Sequence, residues 1–136
     1  MMFSDPRPPI LSNKLHHAPS VFTPENLLRE ARRQKSVPTE SVPTICVLDP
    51  DGDIVQHLID TGQAQRNPYW ACYHTVMYNF TRGGLEYGII GNAVGAAFAV
   101  LVAEELFVSG CQLLISMTSA GPVSYTHLTL PTIYSV

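Results

Sequence analysis

The sequence predicts an α/β fold with a partly parallel sheet, on the basis of two strand–turn–helix units and one further strand. Residues 44–62 contain a short apolar strand, an acidic turn and a short helix. Residues 85–109 contain a strand, the glycine-bearing loop GNAVG and an apolar helix, and residues 111–121 form a strand that ends in a turn of small residues. Strands that alternate with helices are typical of α/β domains, in which such strands lie parallel.

Length and composition limit the class of protein. The chain has 136 residues, 46% hydrophobic and 14% charged, and a formal net charge of −3. We therefore expect one small domain, with neither nucleic acid nor a membrane as partner. Three separated cysteines without a CxxC pair predict buried free thiols and no metal site. Because the N-terminus lacks a signal-peptide pattern and the longest apolar run is short, we expect a cytoplasmic protein.

The N-terminal part divides into an arm and a helix. Residues 1–22 are proline-rich and predict an irregular arm, and residues 23–43 predict a helix followed by a linker. Thr23 followed by Pro24 is a typical helix start, since threonine caps the free N–H groups and proline fits the first helical position. Basic residues follow late in this helix, where they favour its C-terminal end.

The domain proper is expected over residues 44–122. Residues 44–48 predict its first strand, Asp51-Gly52 a turn, and Asp53 the N-cap of a short helix that Gly62 ends. Residues 70–80, WACYHTVMYNF, are aromatic and β-branched and predict another strand, followed by the turn TRGG. The later helix is expected over residues 96–109, before Gly110.

Aromatic and histidine side chains in this region have an ordinary structural interpretation. Trp70, Tyr73 and Tyr78 are expected in the core or at a subunit interface, with stacking on a nucleobase as the alternative. His57 and His74 have no visible partner in the sequence and are expected to be core or surface residues.

Three turns are expected to meet at one edge of the sheet. In open α/β sheets ligands bind beyond the carboxyl ends of the strands. The turns at residues 49–53, 92–96 and 118–121 follow the three strands of the repeating pattern. The sequence therefore predicts a ligand site where these turns come together.

These turns resemble motifs of the nucleoside phosphorylase/nucleosidase superfamily, which includes the purine nucleoside and uridine phosphorylases. The segment GNAVGAAFAVLVAEELFVSGCQLLISMTSAG, residues 91–121, is similar to the family's T-G-[IM]-G-x-P-S loop, E-E-L helix and R-x-G-[ST]-x-G strand end. VLDPDGDIV, residues 47–55, resembles its first phosphate turn, [IL]-x-P-G-D-P-x-R-[VA]. The resemblance implies a three-layer sandwich with a mixed central sheet, represented here by its N-terminal part.

The chain departs from the family at its anion donors. The arginines of the first turn and of the third-strand motif fall on Ile54 and Ser116, and a glycine of the first turn falls on Pro50, which has no N–H to donate. The neighbouring Asp49, Asp51 and Asp53 would repel a phosphate. At ~4 Å and an effective dielectric near 20, the repulsion from one such carboxylate costs about 4 kcal/mol. A hydrogen bond to a charged group contributes only about 1.5–3 kcal/mol.

The resemblance implies cleavage of the N-glycosidic bond of nucleosides, by phosphate in phosphorylases or by water in nucleosidases. The resemblance implies that no cofactor is needed, with phosphate as a possible co-substrate. It implies a nucleoside as the small-molecule partner and a parent protein that could be a homo-oligomer. The short TSAG segment is similar to the nucleosidase branch. The family's catalytic acid and ribose-binding carboxylate have no counterpart in the matching residues, so no catalytic residue is assigned. The resemblance implies nucleoside- or phosphate-binding candidates at Asn92, Gly95, Thr118, Ser119 and Gly121.

Several interpretations stay open at this point. Thr118 and Ser119 could instead cap a following helix, and Gly95 could permit close helix packing. The whole protein could be a nucleoside-cleaving enzyme, a non-catalytic nucleoside-binding or interaction module of the same fold, or an unrelated flavodoxin-like domain.

The tail at residues 123–136 does not continue the α/β pattern. Its part VSYTHLTLPT resembles the in-frame translation of a transposase-type sequencing adapter. On this interpretation residues 123–136 are non-native and the open reading frame is a gene fragment, without enzymatic activity of its own. The alternative is a genuine strand with a threonine-rich turn.

Overall fold

The computed structural model describes residue 8 and residues 12–119. It has a mixed five-stranded sheet with helices on both faces. Gly121, the tail at residues 123–136 and most of residues 1–11 lie outside the described residues. The elements in chain order are α1 (Pro24–Lys35), β1 (Ile45–Asp49), α2 (Asp53–Asp60), β2 (Gln65–Arg66), β3 (Met77–Arg82), β4 (Leu85–Gly91), α3 (Ala96–Val108) and β5 (Leu113–Ser116).

The sheet has a parallel half and an antiparallel half. Its spatial order is β2-β3-β4-β1-β5, in which β1 lies parallel to both β4 and β5. Strand β3 pairs antiparallel with β4 through a tight hairpin, and β2 pairs antiparallel with β3. The predicted α/β class with a mixed, partly parallel sheet is confirmed.

Alternating side chains of β1 place helices on opposite faces of the sheet. Successive strand residues point to opposite faces. Cys46 and Leu48 join the larger apolar cluster with residues of α1 and α3, whereas Val47 joins a second cluster with Val55 and Leu58 of α2. The domain therefore has three layers, with α1 and α3 on one side and α2 on the other.

Helix α1 begins where the sequence predicts. The Thr23 side chain accepts a hydrogen bond from the Asn26 N–H, and Pro24 is the first helical residue. The helix ends with Ser36 as its C-cap, and the left-handed backbone of Ser36 (φ 54°) turns the Val37 N–H back to the Arg32 carbonyl, at 3.0 Å. Its buried side, Leu28 and Ala31, packs in the core beside α3.

Most boundaries differ from the sequence prediction by one or two residues, but the segment before β3 and the N-cap of α2 differ in kind. The segment predicted as a strand from residue 70 becomes extended only at Met77, because residues 70–72 turn inward and join the core as a loop. Helix α2 has Gly52 as its N-cap, at φ 82°, and Asp53 is its first helical residue. The short strand β2 is an addition that no sequence pattern predicted.

The cysteines are all buried free thiols, as predicted. Burial raises the pKa of both Cys46 and Cys72 to about 12, so these thiols stay protonated near neutral pH. Within the described part of the chain, no helix is long and apolar enough to cross a membrane.

Candidate functional site

The three predicted turns lie at the same edge of the sheet. In the ladder, Asp49 at the end of β1 is level with Gly91 at the end of β4, and Leu48 is level with Ser116 at the end of β5. Because β4, β1 and β5 are parallel neighbours, the segments that follow them leave the sheet side by side. For the described residues, which include 118–119 of the third turn, the prediction of a shared edge is confirmed, with the turn after β1 between the other two.

Asp49 is the centre of this edge. Only 2% of its surface is exposed, and its carboxylate accepts a 3.0 Å hydrogen bond from the Val55 N–H in the first turn of α2. Its backbone carbonyl accepts hydrogen bonds from the N–H groups of Gly52 and Asn92, each at 3.0 Å. One residue thus joins β1, α2 and the loop after β4. Its carboxylate accepts from an N–H group at the N-terminus of α2, where an external anion could otherwise bind.

Asp51 connects the first turn to the segment after β5. Its Oδ2 accepts a 2.6 Å hydrogen bond from the Ser119 N–H and a 3.3 Å bond from the Thr118 hydroxyl. The Ser119 N–H, which favours the ionised form, holds the pKa of Asp51 below its ordinary value. Two of the candidate binding residues therefore already have an internal carboxylate as partner.

A cleft of about 210 Å³ lies between these turns, with seven lining residues: Asp49, Asp51, Asp53, Ile54, Met117, Thr118 and Ser119. Three of these residues are aspartates, and the described residues that line the cleft include no lysine, arginine or histidine. Ile54 contributes an apolar wall. The electrostatics of this cleft disfavour a phosphate dianion. Within residues 12–119, these aspartates included, no three or more histidine, cysteine, aspartate or glutamate side chains are placed so that together they could hold a metal ion.

Asn92 faces a different cleft, on the other side of the turn after β1. This second cleft has a volume of about 280 Å³ and lies between α2, the end of β4 and the segment before β3. Asn92 has a left-handed backbone (φ 62°), and so does His74 (φ 61°), which lines the same cleft. The described candidates therefore do not form one site: Asn92 lies apart from Thr118 and Ser119, although all three lie at the same edge.

Gly95 precedes α3 and lines neither cleft. Its φ of 94° is a conformation that side chains rarely adopt, and a Cβ built on it would meet nothing within 4 Å. Close helix packing, one interpretation of this glycine, is therefore wrong, and the residue is required for the turn from β4 into α3. Its carbonyl accepts the first helical hydrogen bond, from Ala99.

The remaining aromatic and histidine predictions have mixed outcomes. Trp70 is buried, and its Nε1–H donates to the Thr75 hydroxyl at 2.8 Å. Tyr73 is exposed, but its hydroxyl donates to Gln34 of α1 at 2.6 Å and the Lys35 ammonium lies 4.9 Å from the centre of its ring. His57 is an exposed residue of α2, as expected. His74 is also exposed, but sequence patterns carried no signal for its left-handed backbone or its place in the second cleft.

Comparisons with known proteins leave the family of this chain open. No family model matches the chain, and no curated protein sequence matches it. Among solved structures, the chain is similar to a uridine phosphorylase from Vibrio fischeri ES114, at 21% sequence identity and a TM-score of 0.46. The match covers 60% of this chain and 33% of that chain, so this protein spans about a third of the length of that structure.

Proposed function

We propose that the chain belongs to a nucleoside-cleaving protein that acts on the N-glycosidic bond, and that it contributes one edge of the nucleoside site. The observation that carries this proposal is the meeting of three turns at the carboxyl edge of a mixed sheet. These are the turns whose sequences resemble nucleoside phosphorylase and nucleosidase motifs. Ligands of open α/β sheets bind at such edges.

The charge distribution favours water over phosphate as the nucleophile. Phosphorolysis needs cationic or N–H donors to hold a dianion beside the sugar. Here the Val55 N–H donates to Asp49 and the Ser119 N–H donates to Asp51. The cleft of about 210 Å³ between the turns has no cationic side chain among its described lining residues. Hydrolysis therefore fits the described residues better than phosphorolysis.

We expect the product of the full-length gene to release base from nucleosides at a rate that phosphate does not increase. The assay uses uridine, adenosine, inosine and methylthioadenosine, each with and without phosphate. The 136-residue chain, assayed in parallel, is expected to show no turnover, because the acid and the ribose-binding carboxylate have no counterpart in its matching residues. Phosphate-dependent cleavage by the full-length protein would contradict the hydrolytic assignment, and turnover by the short chain would contradict its inactivity.

The alternative is a non-catalytic nucleoside-binding or interaction module. The observation in its favour is that internal carboxylates take the donors that an anionic substrate would need. A full-length protein that binds nucleosides but cleaves none of the four, with or without phosphate, would support this alternative.

We also propose that residues 123–132 derive from an adapter and that the natural coding sequence continues differently after about codon 122. The support is the similarity of VSYTHLTLPT to a translated adapter. Amplification and sequencing of the source DNA across codons 121–133 should give a different sequence that extends the α/β pattern. Recovery of the same codons from unprocessed DNA would contradict this origin.

A further inference from the structure

Helix α3 has an apolar stripe on its outer side, although a helix that is apolar on all sides normally lies buried. The stripe consists of Ala96, Val100, Ala103 and Phe107, which recur at intervals of four, three and four residues. Val100 is 57% exposed and Phe107 is 50% exposed, so the described part of the chain leaves this side of the helix largely uncovered. The same spacing occurs in the seam between two packed helices.

The stripe lies on the side of α3 that points away from α1. Arg32 of α1 donates a 3.5 Å hydrogen bond to the Ser109 hydroxyl and also lies beside Glu105, so these two residues mark the α1 side of α3. At about 100° per residue, the members of the stripe are turned by roughly 120–180° from that side. Because Lys35 of α1 also contacts the loop before β3, the stripe faces the opposite, β5 end of the sheet.

The stripe is complementary to itself when two copies of α3 pack antiparallel. A two-fold axis through its midpoint places Phe107 opposite Ala96 of the second copy, and Val100 opposite Ala103 of the second copy. Each larger side chain thereby meets a small one, which is the arrangement that fills a helix interface. A parallel pair would instead oppose the two Phe107 side chains and leave a gap between the two Ala96 side chains.

The surface beside the stripe also allows two copies to approach closely. Residues 106–119, from the end of α3 through β5, contain no charged residue. β5 is the outer strand of the parallel half of the sheet, and Leu113 and Ile115 are exposed on it. Proteins commonly protect such an edge with charged side chains, and this edge has none. Glu104, which borders the stripe, would lie about 7.5 Å along the helix axis from its counterpart, so repulsion between the two is weak.

We propose that the α3 stripe is the interface through which two copies of this chain form an antiparallel dimer with two-fold symmetry. The occupant is a second copy because a single axis pairs larger with small side chains along the whole stripe. The same axis brings the uncharged surface of one copy towards that of the other. This inference concerns association of the chain and does not depend on nucleoside cleavage.

The test is sedimentation equilibrium of the 136-residue chain without any ligand. We expect a reversible dimer that does not grow into larger oligomers, because a two-fold interface uses the same surface on both copies and closes on itself. Val100→Glu should weaken dimerisation at least tenfold, since it places a carboxylate in an apolar seam. Adding Ala103→Lys should recover most of this loss, because each new carboxylate would face the new ammonium group of the other copy.

Val108→Glu is the matched control, because Val108 is an exposed apolar residue of the same helix outside the stripe. It should leave the dimer dissociation constant unchanged. Circular dichroism and urea unfolding of each variant show whether the fold is intact. The paired Val100→Glu and Ala103→Lys variant also separates a lost contact from a damaged fold, since only an intact antiparallel interface lets the second substitution restore dimerisation.

Four results would overturn the proposal. A wild-type chain that stays monomeric would leave another part of the parent protein as the cover of the stripe, and open-ended oligomers would indicate association without a two-fold axis. Dimerisation of Val100→Glu with the affinity of the wild type would move the interface away from α3. A paired variant that dimerises no better than Val100→Glu alone would exclude the antiparallel arrangement. None of these results bears on the nucleoside assay of the full-length protein, so the two proposals fail separately.

Discussion

Gly91→Ala is expected to lower the free energy of unfolding by about 1–3 kcal/mol, the usual range for adding a carbon to a packed core. A Cβ at this position would lie 2.6 Å from Cγ1 of Val55, a buried residue of α2. The backbone of Gly91 is compatible with alanine, since its φ is not in the left-handed region. The loss therefore measures how closely the end of β4 packs against α2.

Val55→Ala should relieve this clash and make the two substitutions non-additive. Alone, Val55→Ala should destabilise by about 1–2 kcal/mol, at roughly 0.8 kcal/mol for each methylene removed from the core. In its background, Gly91→Ala should have almost no further effect. Urea unfolding followed by the fluorescence of Trp70, the single tryptophan, measures all four variants of the cycle.

Gly88→Ala is the control for this cycle. It lies on the same strand, but its added Cβ would approach Cys46 and Met77 instead of Val55. Val55→Ala should not rescue it. Additive effects of Gly91→Ala and Val55→Ala would show that β4 and α2 do not make the close contact described here.

Glu105→Gln is expected to stabilise the protein at neutral pH, by on the order of 1 kcal/mol, because it removes a poorly compensated buried charge. Glu105 of α3 is only 3% exposed, and its Oε2 is a buried oxygen without a hydrogen-bond partner within residues 12–119. Burial raises the pKa of this carboxyl above its ordinary value. The Cys72 thiol, Lys35 and Arg32 face it and act in the opposite direction, with smaller effect.

The sign of the pH dependence follows from the raised pKa. The folded state binds the Glu105 proton more tightly than the unfolded state, so this group stabilises the wild type most below pH 4.5. That stability is lost as the pH rises through the raised pKa of the folded state. The advantage of Glu105→Gln should therefore be largest near pH 7–8 and shrink as the pH falls towards 4.5.

Urea unfolding between pH 5 and 8 tests this profile, with Glu104→Gln as the matched control. Glu104 is the neighbouring, exposed residue of the same helix, and its substitution should leave the profile unchanged. A Glu105→Gln variant that is less stable than the wild type at pH 7 would contradict the prediction. That result would mean that the attraction of Lys35 and Arg32 outweighs the penalty of burial.

Local patterns predicted most of the elements but misplaced the segment before β3. Residues 70–76 have the composition of a strand, yet Trp70, Ala71 and Cys72 are buried in a loop. Lys35 of α1 donates to the carbonyls of Ala71 and Cys72, at 2.8 and 3.1 Å, and so satisfies backbone groups that a strand would have paired. A partner 36 residues away along the chain is not visible to β propensity, which reflects packing context.

In the candidate site, too, the order of elements was predictable from the sequence, whereas the contacts between distant segments were not. The order of strands and helices was sufficient to predict that the turns after β1, β4 and β5 share an edge, because parallel strands end on the same side. Side-chain direction was not predictable from that order. The position of Asp49, whose carboxylate turns inward to α2, separates Asn92 from Thr118 and Ser119.

The sequence by itself determined the α/β class, the start of α1, the burial of the cysteines and the shared carboxyl edge. Each of these depends on residue periodicity, capping chemistry or chain order, which act over a few neighbouring residues. Only the tertiary structure decided that the edge holds two clefts, that internal carboxylates take the anion donors, and that His74 faces the second cleft. These features depend on contacts between segments far apart in the chain, such as Asp51 with Ser119, and those contacts exist only once the sheet has formed.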